Sequence, residues 1–133
     1  MHDFKRFPEL TNNQMQFYYF DSPHKQITES FSGKVVRVID GDTIRVTHPD
    51  RYFDFPIRLS FINSAEMEEG GLASKKFLEN QILGEEVKIE INPEKRTEKW
   101  GRLLGEIIHM GQNINQMSMD WGYSVEFGSE TWS

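Results

Sequence analysis

The chain contains no cysteine. That excludes a disulfide framework, thiolate zinc sites and cysteine nucleophiles, and it leaves the redox compartment open. No apolar run approaches ~20 residues, so no helical membrane span is expected. The first residues lack the apolar core of about 7–15 residues that marks an export signal. The chain is therefore expected to be cytoplasmic, or exported with its leader removed. Basic residues are in the minority, 15 Lys and Arg against 21 Asp and Glu, for a net charge of −6. An acidic chain has no general attraction for polyphosphates, so this balance taken alone argues against a nucleic-acid partner. Internal repeats and low-complexity tracts are also lacking.

What is present is enough for one folded unit. The 133 residues are 37% hydrophobic and 13% aromatic, which supplies a single core and leaves no room for two ordinary domains. Three regions are expected. Residues 1–32 form an N-terminal extension with an aromatic arm, Phe17-Tyr18-Tyr19-Phe20, closed by Asp21-Ser22-Pro23. Residues 33–127 form the folded domain, and 128–133 a polar tail. Four consecutive aromatics must pack on something if ordered, either this domain or a second copy. The arm therefore suggests a homodimer.

From Gly33 the pattern becomes regular. Val35, Val36, Val38 and Ile39 read as a β-branched strand, and Ile44 with Val46 as the next, after the tight connection Asp40-Gly41-Asp42-Thr43. His48-Pro49-Asp50-Arg51 is a turn with proline at its second position. Phe53, Phe55, Ile57, Leu59 and Phe61 alternate with polar residues, the period of a strand with one core face. Arg58 then lies on the opposite face. Pro56 has no N–H and should stand at an edge or bulge. Spacing predicts a helix over about Leu72–Leu83 with Gly84 as its C-terminal cap. Strands follow at Glu86–Asn92 and Leu103–His109, separated by a charged turn. Asn113 is expected to cap a short helix with Ile114, Met117 and Trp121 on one face, ended by Gly122. The residues from Ser124 onward have no assignment. Five short strands with an inserted helix and a short C-terminal helix suit a mainly β fold with helices, a five-stranded OB-type barrel.

Asp40 and Asp42 place two carboxylates beside a glycine, the kind of oxygen set that hard divalent cations take. The same residues also suit a plain hairpin turn. Arg58, Arg102 and Glu66 are each unremarkable alone. Their ordered combination is specific. The stretches VVRVIDGDTIRV, IRLSFINSAE, GGLASKKFLENQILGEEVKIEI, RTEKWGRLLGEI and NINQMSMDWGYS resemble, in order and spacing, the staphylococcal nuclease (thermonuclease) family. The resemblance runs from about Gly33 to Val125.

The resemblance implies an OB-type barrel and a Ca²⁺-dependent endonuclease that hydrolyses phosphodiester bonds of DNA or RNA, with single-stranded or flexible substrates the expected partners. It implies Asp42 as a carboxylate ligand of Ca²⁺, Asp40 in support, and the backbone carbonyl of Ser64 as a further ligand. Glu66 would be the general base for the attacking water. Arg58 and Arg102 would grip the scissile phosphate, and Lys99 and Trp100 would line the nucleotide pocket. Such chemistry is physically coherent. Charge builds up on the five-coordinate phosphorus, and two guanidiniums with a divalent cation stabilise it.

The chain departs from the family at several points. Asn63 stands where the family has a second carboxylate ligand, so one negative charge is missing and cation affinity should be lower. Ala65 replaces a proline before the glutamate. The stretch from Glu66 to the helix is short, and the chain stops before the family's last helix would be complete. A second reading is therefore a catalytically impaired OB module that binds nucleic acid or protein. Glu68 or Glu69 would be the alternative source of the lost charge. The acidity also reads differently now. Cation ligands and a general base account for part of it, and Lys95, Arg96, Lys99 and Arg102 are expected to line the phosphate cleft.

Overall fold

The computed structural model describes residues 2–64, 71–99 and 101–127. Its frame is a β-sheet that closes on itself. Strand β1 (Phe31–Val38) pairs antiparallel with β2 (Thr43–Val46) on one side and with β5 (Glu86–Glu90) on the other. β2 pairs with β3 (Phe55–Leu59), and β5 with β6 (Leu103–His109). A parallel pairing of β3 with β6, from Ile57–Leu103 to Leu59–Gly105, completes the circle. The result is a closed five-stranded barrel of the OB type, mainly β, with three α-helices among the described residues. Between β3 and β5 lie β4 (Ile62–Ser64) and α2 (Gly71–Ile82). After β6 come the two-residue β7 (Gln112–Asn113), α3 (Ile114–Asp120) and β8 (Ser124–Glu126). β8 pairs antiparallel with β4 in a small separate ribbon.

The core follows from the period-two pattern. Val35, Ile44, Val46, Ile57, Leu59 and Ile89 are all buried inside the barrel. A bulge between Val35 and Arg37 breaks the β1–β2 register and adds the local twist that helps closure. α2 caps the core with Phe77, Leu78 and Ile82. Each such side chain, fully buried, contributes about 1.5–3 kcal/mol. Pro56 pairs with Arg45 on β2 and stands one residue before the β3–β6 ladder begins, at an edge position as its missing N–H requires. Asn113 caps α3, its side chain accepting from Gln116 N at 3.1 Å.

Several expectations are corrected. The alternating strand is shorter than the pattern: Phe53 and Phe61 lie outside β3 and are exposed. Phe61 has φ +55° and turns the chain into β4. Arg58 is on the non-core face, yet it is 8% exposed rather than solvated. Trp121 is exposed beyond the end of α3, its ring edge-on to Phe77, and the residues of α3 that are buried are Ile114, Asn115 and Ser118. Residues 124–126, unassigned from the sequence, form β8.

The N-terminal segment is part of the molecule. Leu10 and Ile27 are buried, and β1 itself starts at Phe31. Gln26 ties the segment together, accepting from Leu10 N at 2.6 Å and donating to Pro8 O at 2.9 Å. The aromatic arm is split between α1 (Met15–Tyr18) and a 3₁₀ turn (Tyr19–Asp21), with Phe17 and Phe20 exposed. Among the described residues no helix is long and apolar enough to cross a membrane. The 128–133 tail lies outside the described residues.

Candidate functional site

The turn between β1 and β2 is built by short-range hydrogen bonds. Ile39 N donates to Thr43 O at 2.9 Å, and Asp42 N donates to Asp40 Oδ1 at 3.0 Å. An aspartate accepting from the amide two residues on is a common local turn device. Gly41 is required by what surrounds it. A Cβ there would sit 2.5 Å from Ser74 Cβ on α2 and 2.7 Å from Ser64 Cβ on β4. The absent side chain lets three elements meet, and so delivers Asp40 and Asp42 to one end of the barrel.

Asp42 is the hub. Its Oδ1 accepts from Thr43 Oγ1 at 3.1 Å, and its Oδ2 from Ser64 N at 3.2 Å and Ser64 Oγ at 3.1 Å. Arg58 Nη2 stands 3.4 Å from the same Oδ2. The register makes this meeting unavoidable, because Thr43 faces Arg58 across β2 and β3. Arg58 is further held by donating from Nη1 to Leu59 O at 2.8 Å. Arg102 approaches from the start of β6. Its Nη1 donates to Thr43 Oγ1 at 3.4 Å, and its Nε lies 3.5 Å from Glu98 Oε1. Glu98 also accepts from Arg102 N at 2.8 Å, which fixes the residue before its guanidinium is aimed.

The electrostatics follow from this crowding. Burial pushes the Asp40 carboxyl above its ordinary range, and contact with the Asp42 side chain adds to the rise. Burial acts on Asp42 in the same direction. There the Asp40 hydrogen bond, the Arg58 guanidinium and the Ser64 donors outweigh it, so its pKa falls below the ordinary range. Burial also lowers the Arg58 pKa, Asp42 counters it, and the nearby Arg102 lowers it further. Two guanidiniums thus sit close enough to repel one another. A bound anion would relieve that repulsion.

The expected residues sort plainly. Asp40, Asp42, Arg58, Ser64 and Arg102 converge. Ser64 meets Asp42 through its amide and hydroxyl. Asn63 is exposed on β4, one residue from Ser64 and therefore on the alternate side of the pleat. Lys99 is exposed. Glu66, Glu68, Glu69 and Trp100 lie outside the described residues. Arg96 is a correction: it does not line a basic rim but is 3% exposed and bound into the N-terminal segment. Thr43 was a polar strand-end candidate in the sequence and joins the cluster. Glu98 was not singled out; its signal was an i,i+4 spacing to Arg102.

Asp40 and Asp42 offer carboxylate oxygens of the kind a hard divalent cation takes. Asp40, driven toward its protonated form by burial and by the adjacent Asp42, forms with Asp42 a pair of carboxylates that a cation would relieve, and all the donors are oxygens. Asp40 and Asp42 would hold it, with Ser64 beside them.

No protein-family model matches the chain. A comparison with curated proteins finds an uncharacterized protein of Bacillus anthracis, 27% identical over 104 residues. The match covers 73% of this chain and 48% of that protein, so the chain spans about half the length of its relative.

Proposed function

We propose that the protein is a Ca²⁺-dependent nuclease that hydrolyses phosphodiester bonds in DNA or RNA. One observation carries the reading: Asp42, Arg58 and Arg102, far apart in sequence, meet around Thr43 at one end of the barrel. The two guanidiniums bind the substrate phosphate and stabilise the charge that grows on it in the transition state. Asp42 holds Arg58 in place, and Glu98 does the same for Arg102. Glu66 follows β4 by two residues and serves as general base for the attacking water. A cation held by Asp40 and Asp42 would supply Lewis-acid polarisation of the phosphate oxygens.

Cleavage of a fluorescent single-stranded oligonucleotide, followed across a Ca²⁺ titration to millimolar, tests this. Turnover should rise with Ca²⁺, and Arg58→Gln or Arg102→Gln should lower it by roughly 100- to 1,000-fold. Turnover no greater than that of a Glu66→Gln control would reject the enzyme. Asn63→Asp, on the opposite side of β4 from Ser64, should leave the Ca²⁺ requirement unchanged.

A second reading, a binding module without turnover, is favoured by one specific feature. Asp42 Oδ2 already takes two donors from Ser64 and lies beside Arg58, and the neighbouring Asn63 is neutral. That reading predicts oligonucleotide binding that weakens with salt while the strand stays intact.

A further inference from the structure

The seam that closes the barrel leaves the first residues of β3, Phe55 and Pro56, unpaired on the β6 side. The β3–β6 ladder starts at Ile57–Leu103, and just before it stands Pro56, without an N–H to offer. The N-terminal segment crosses this stretch. Between the segment and the strands lies a cavity of about 210 Å³. Its walls are mostly apolar: Phe7 and Pro8 from the segment, Phe55, Pro56 and Leu103 from the barrel. Glu9 also borders it, but that carboxylate is committed to Arg96, Arg51 and the Ile27 amide.

Two cations complete the lining, Arg6 and Arg102. Arg6 lies 5.3 Å over the Phe7 ring, a cation–π contact that holds its head at the cavity. Arg102 belongs to two places at once. It borders the cavity, and its Nη1 reaches Thr43 in the cluster with Asp42 and Arg58. Cavity and phosphate cleft therefore share a wall. The volume is several times that of a water molecule, about 30 Å³, and below the ~300 Å³ at which drug-sized pockets start. That volume is enough for a single heterocycle. An apolar slot bordered by an aromatic ring and guanidiniums suits a nucleobase, whose π-face stacks on such groups whatever its sequence identity.

We propose that the N-terminal segment builds a nucleobase pocket beside the phosphate cleft. The base next to the gripped phosphate enters against Phe7, and Arg6 contacts the following phosphate. This inference rests on the reading of Arg58 and Arg102 as phosphate ligands, and it assigns a substrate role to residues outside the stretches that resemble the nuclease family.

Calorimetric titration of the full chain with inorganic phosphate, ribose 5-phosphate, a nucleoside 5′-monophosphate and a dinucleotide tests it. The nucleoside monophosphate should bind about tenfold more tightly than ribose 5-phosphate, as base stacking predicts. Phe7→Leu keeps apolar bulk but removes the ring. It should abolish most of that difference and leave phosphate and ribose 5-phosphate binding unchanged. Phe7→Trp should preserve the difference, and this arm still decides if Phe7→Leu fails to fold. Arg6→Gln should weaken the dinucleotide and spare the mononucleotide. Equal affinity of the wild-type protein for nucleoside monophosphate and ribose 5-phosphate overturns the pocket. A difference that survives Phe7→Leu in a folded protein overturns it too. The phosphate cleft is judged separately: inorganic phosphate binding that is lost in Arg58→Gln supports it, and binding indifferent to Arg58 and Arg102 rejects it.

Discussion

Glu9 is 2% exposed and carries a charge into the interior. A buried carboxylate is tolerable only when paired and hydrogen-bonded. Glu9 receives Arg96 Nη2 at 2.8 Å, the Ile27 amide at 3.0 Å, and Arg51. Arg96 then donates from Nε to Ile27 O at 2.6 Å and from Nη1 to Leu10 O at 3.0 Å. Arg51 lies over the Phe55 ring, 4.6 Å from its centroid, which faces its guanidinium with π-electron density where hydrogen-bond partners run out. Glu9→Gln keeps the shape and deletes the charge, leaving two guanidiniums without their anion. It should cost about 3–5 kcal/mol, read as a fall in the urea midpoint. None of this was legible in the sequence. Arg96 stands among Lys95, Lys99 and Arg102, which makes it look like a solvated or phosphate-facing charge. Its partner is 87 positions away, and no local spacing connects the two. Arg51 has a neighbour that reports on it. Burial and the adjacent Arg51 and Lys25 lower the His48 pKa below 6.5, while Asp50 and Glu9 oppose them. Between the folded pKa and 6.5 the unfolded chain binds more protons than the native one. Stability should therefore fall as pH drops through 6.5, and level off below the folded pKa. An NMR titration giving His48 a pKa at or above 6.5 would contradict this.

At the scale of elements, the site depends on how closely three of them approach. The β1–β2 turn, β4 and α2 meet over Gly41, where any Cβ would overlap Ser74 and Ser64. Gly41→Ala should force them apart and cost about 1–3 kcal/mol, as overpacked sites do. Because Ser64 is the Asp42 partner on β4, the same shift should disturb the cluster. Oligonucleotide affinity should drop even at temperatures where the variant is fully folded, and normal affinity there would detach Gly41 from the site. Asn113→Ala makes the contrast. It removes the α3 cap and a hydrogen bond from Asn113 Nδ2 to Glu106, neither of which involves the cluster, so about 1–2 kcal/mol should be lost in thermal unfolding with affinity unchanged. The elements that bury a regular stripe were readable in advance: β1, β2, β5, β6, α2 and α3 all follow from periodicity and punctuation. β4 and β8 did not. Each is three residues long, too short for any period to show, and each exists because the other supplies its hydrogen bonds. The five convergent residues were readable only as a set, through the resemblance. Periodicity put Arg58 on the outer face but could not say that Asp42 and Phe127 would cover it.

For the whole molecule, the question is whether residues 2–30 are an appendage or a wall. An appendage could be cut away at no cost. Leu10 and Ile27 are instead buried, and the segment's carbonyls and Glu9 satisfy the Arg96 guanidinium. Cutting the segment differs physically from neutralising Glu9. Truncation exposes Arg96 and Arg51 to water, so no charge is left stranded. What is lost is apolar burial and the ordered network. Two apolar side chains at about 1.5–3 kcal/mol each give roughly 3–6 kcal/mol, before hydrogen bonds are counted. Against a typical domain stability of about 5–15 kcal/mol, that is a large share but not certain unfolding. The strands of the barrel all begin at Phe31 or later, so their pairing survives in principle. A chain starting at Ser30 should accordingly keep β-type far-UV circular dichroism in the cold. It should melt more than about 10 °C below the full chain, since each kcal/mol shifts a small domain by roughly 4–8 °C. An unchanged melting temperature would mean that the segment rests on the barrel without supporting it, and would remove Arg6 and Phe7 from any fixed place beside the cleft.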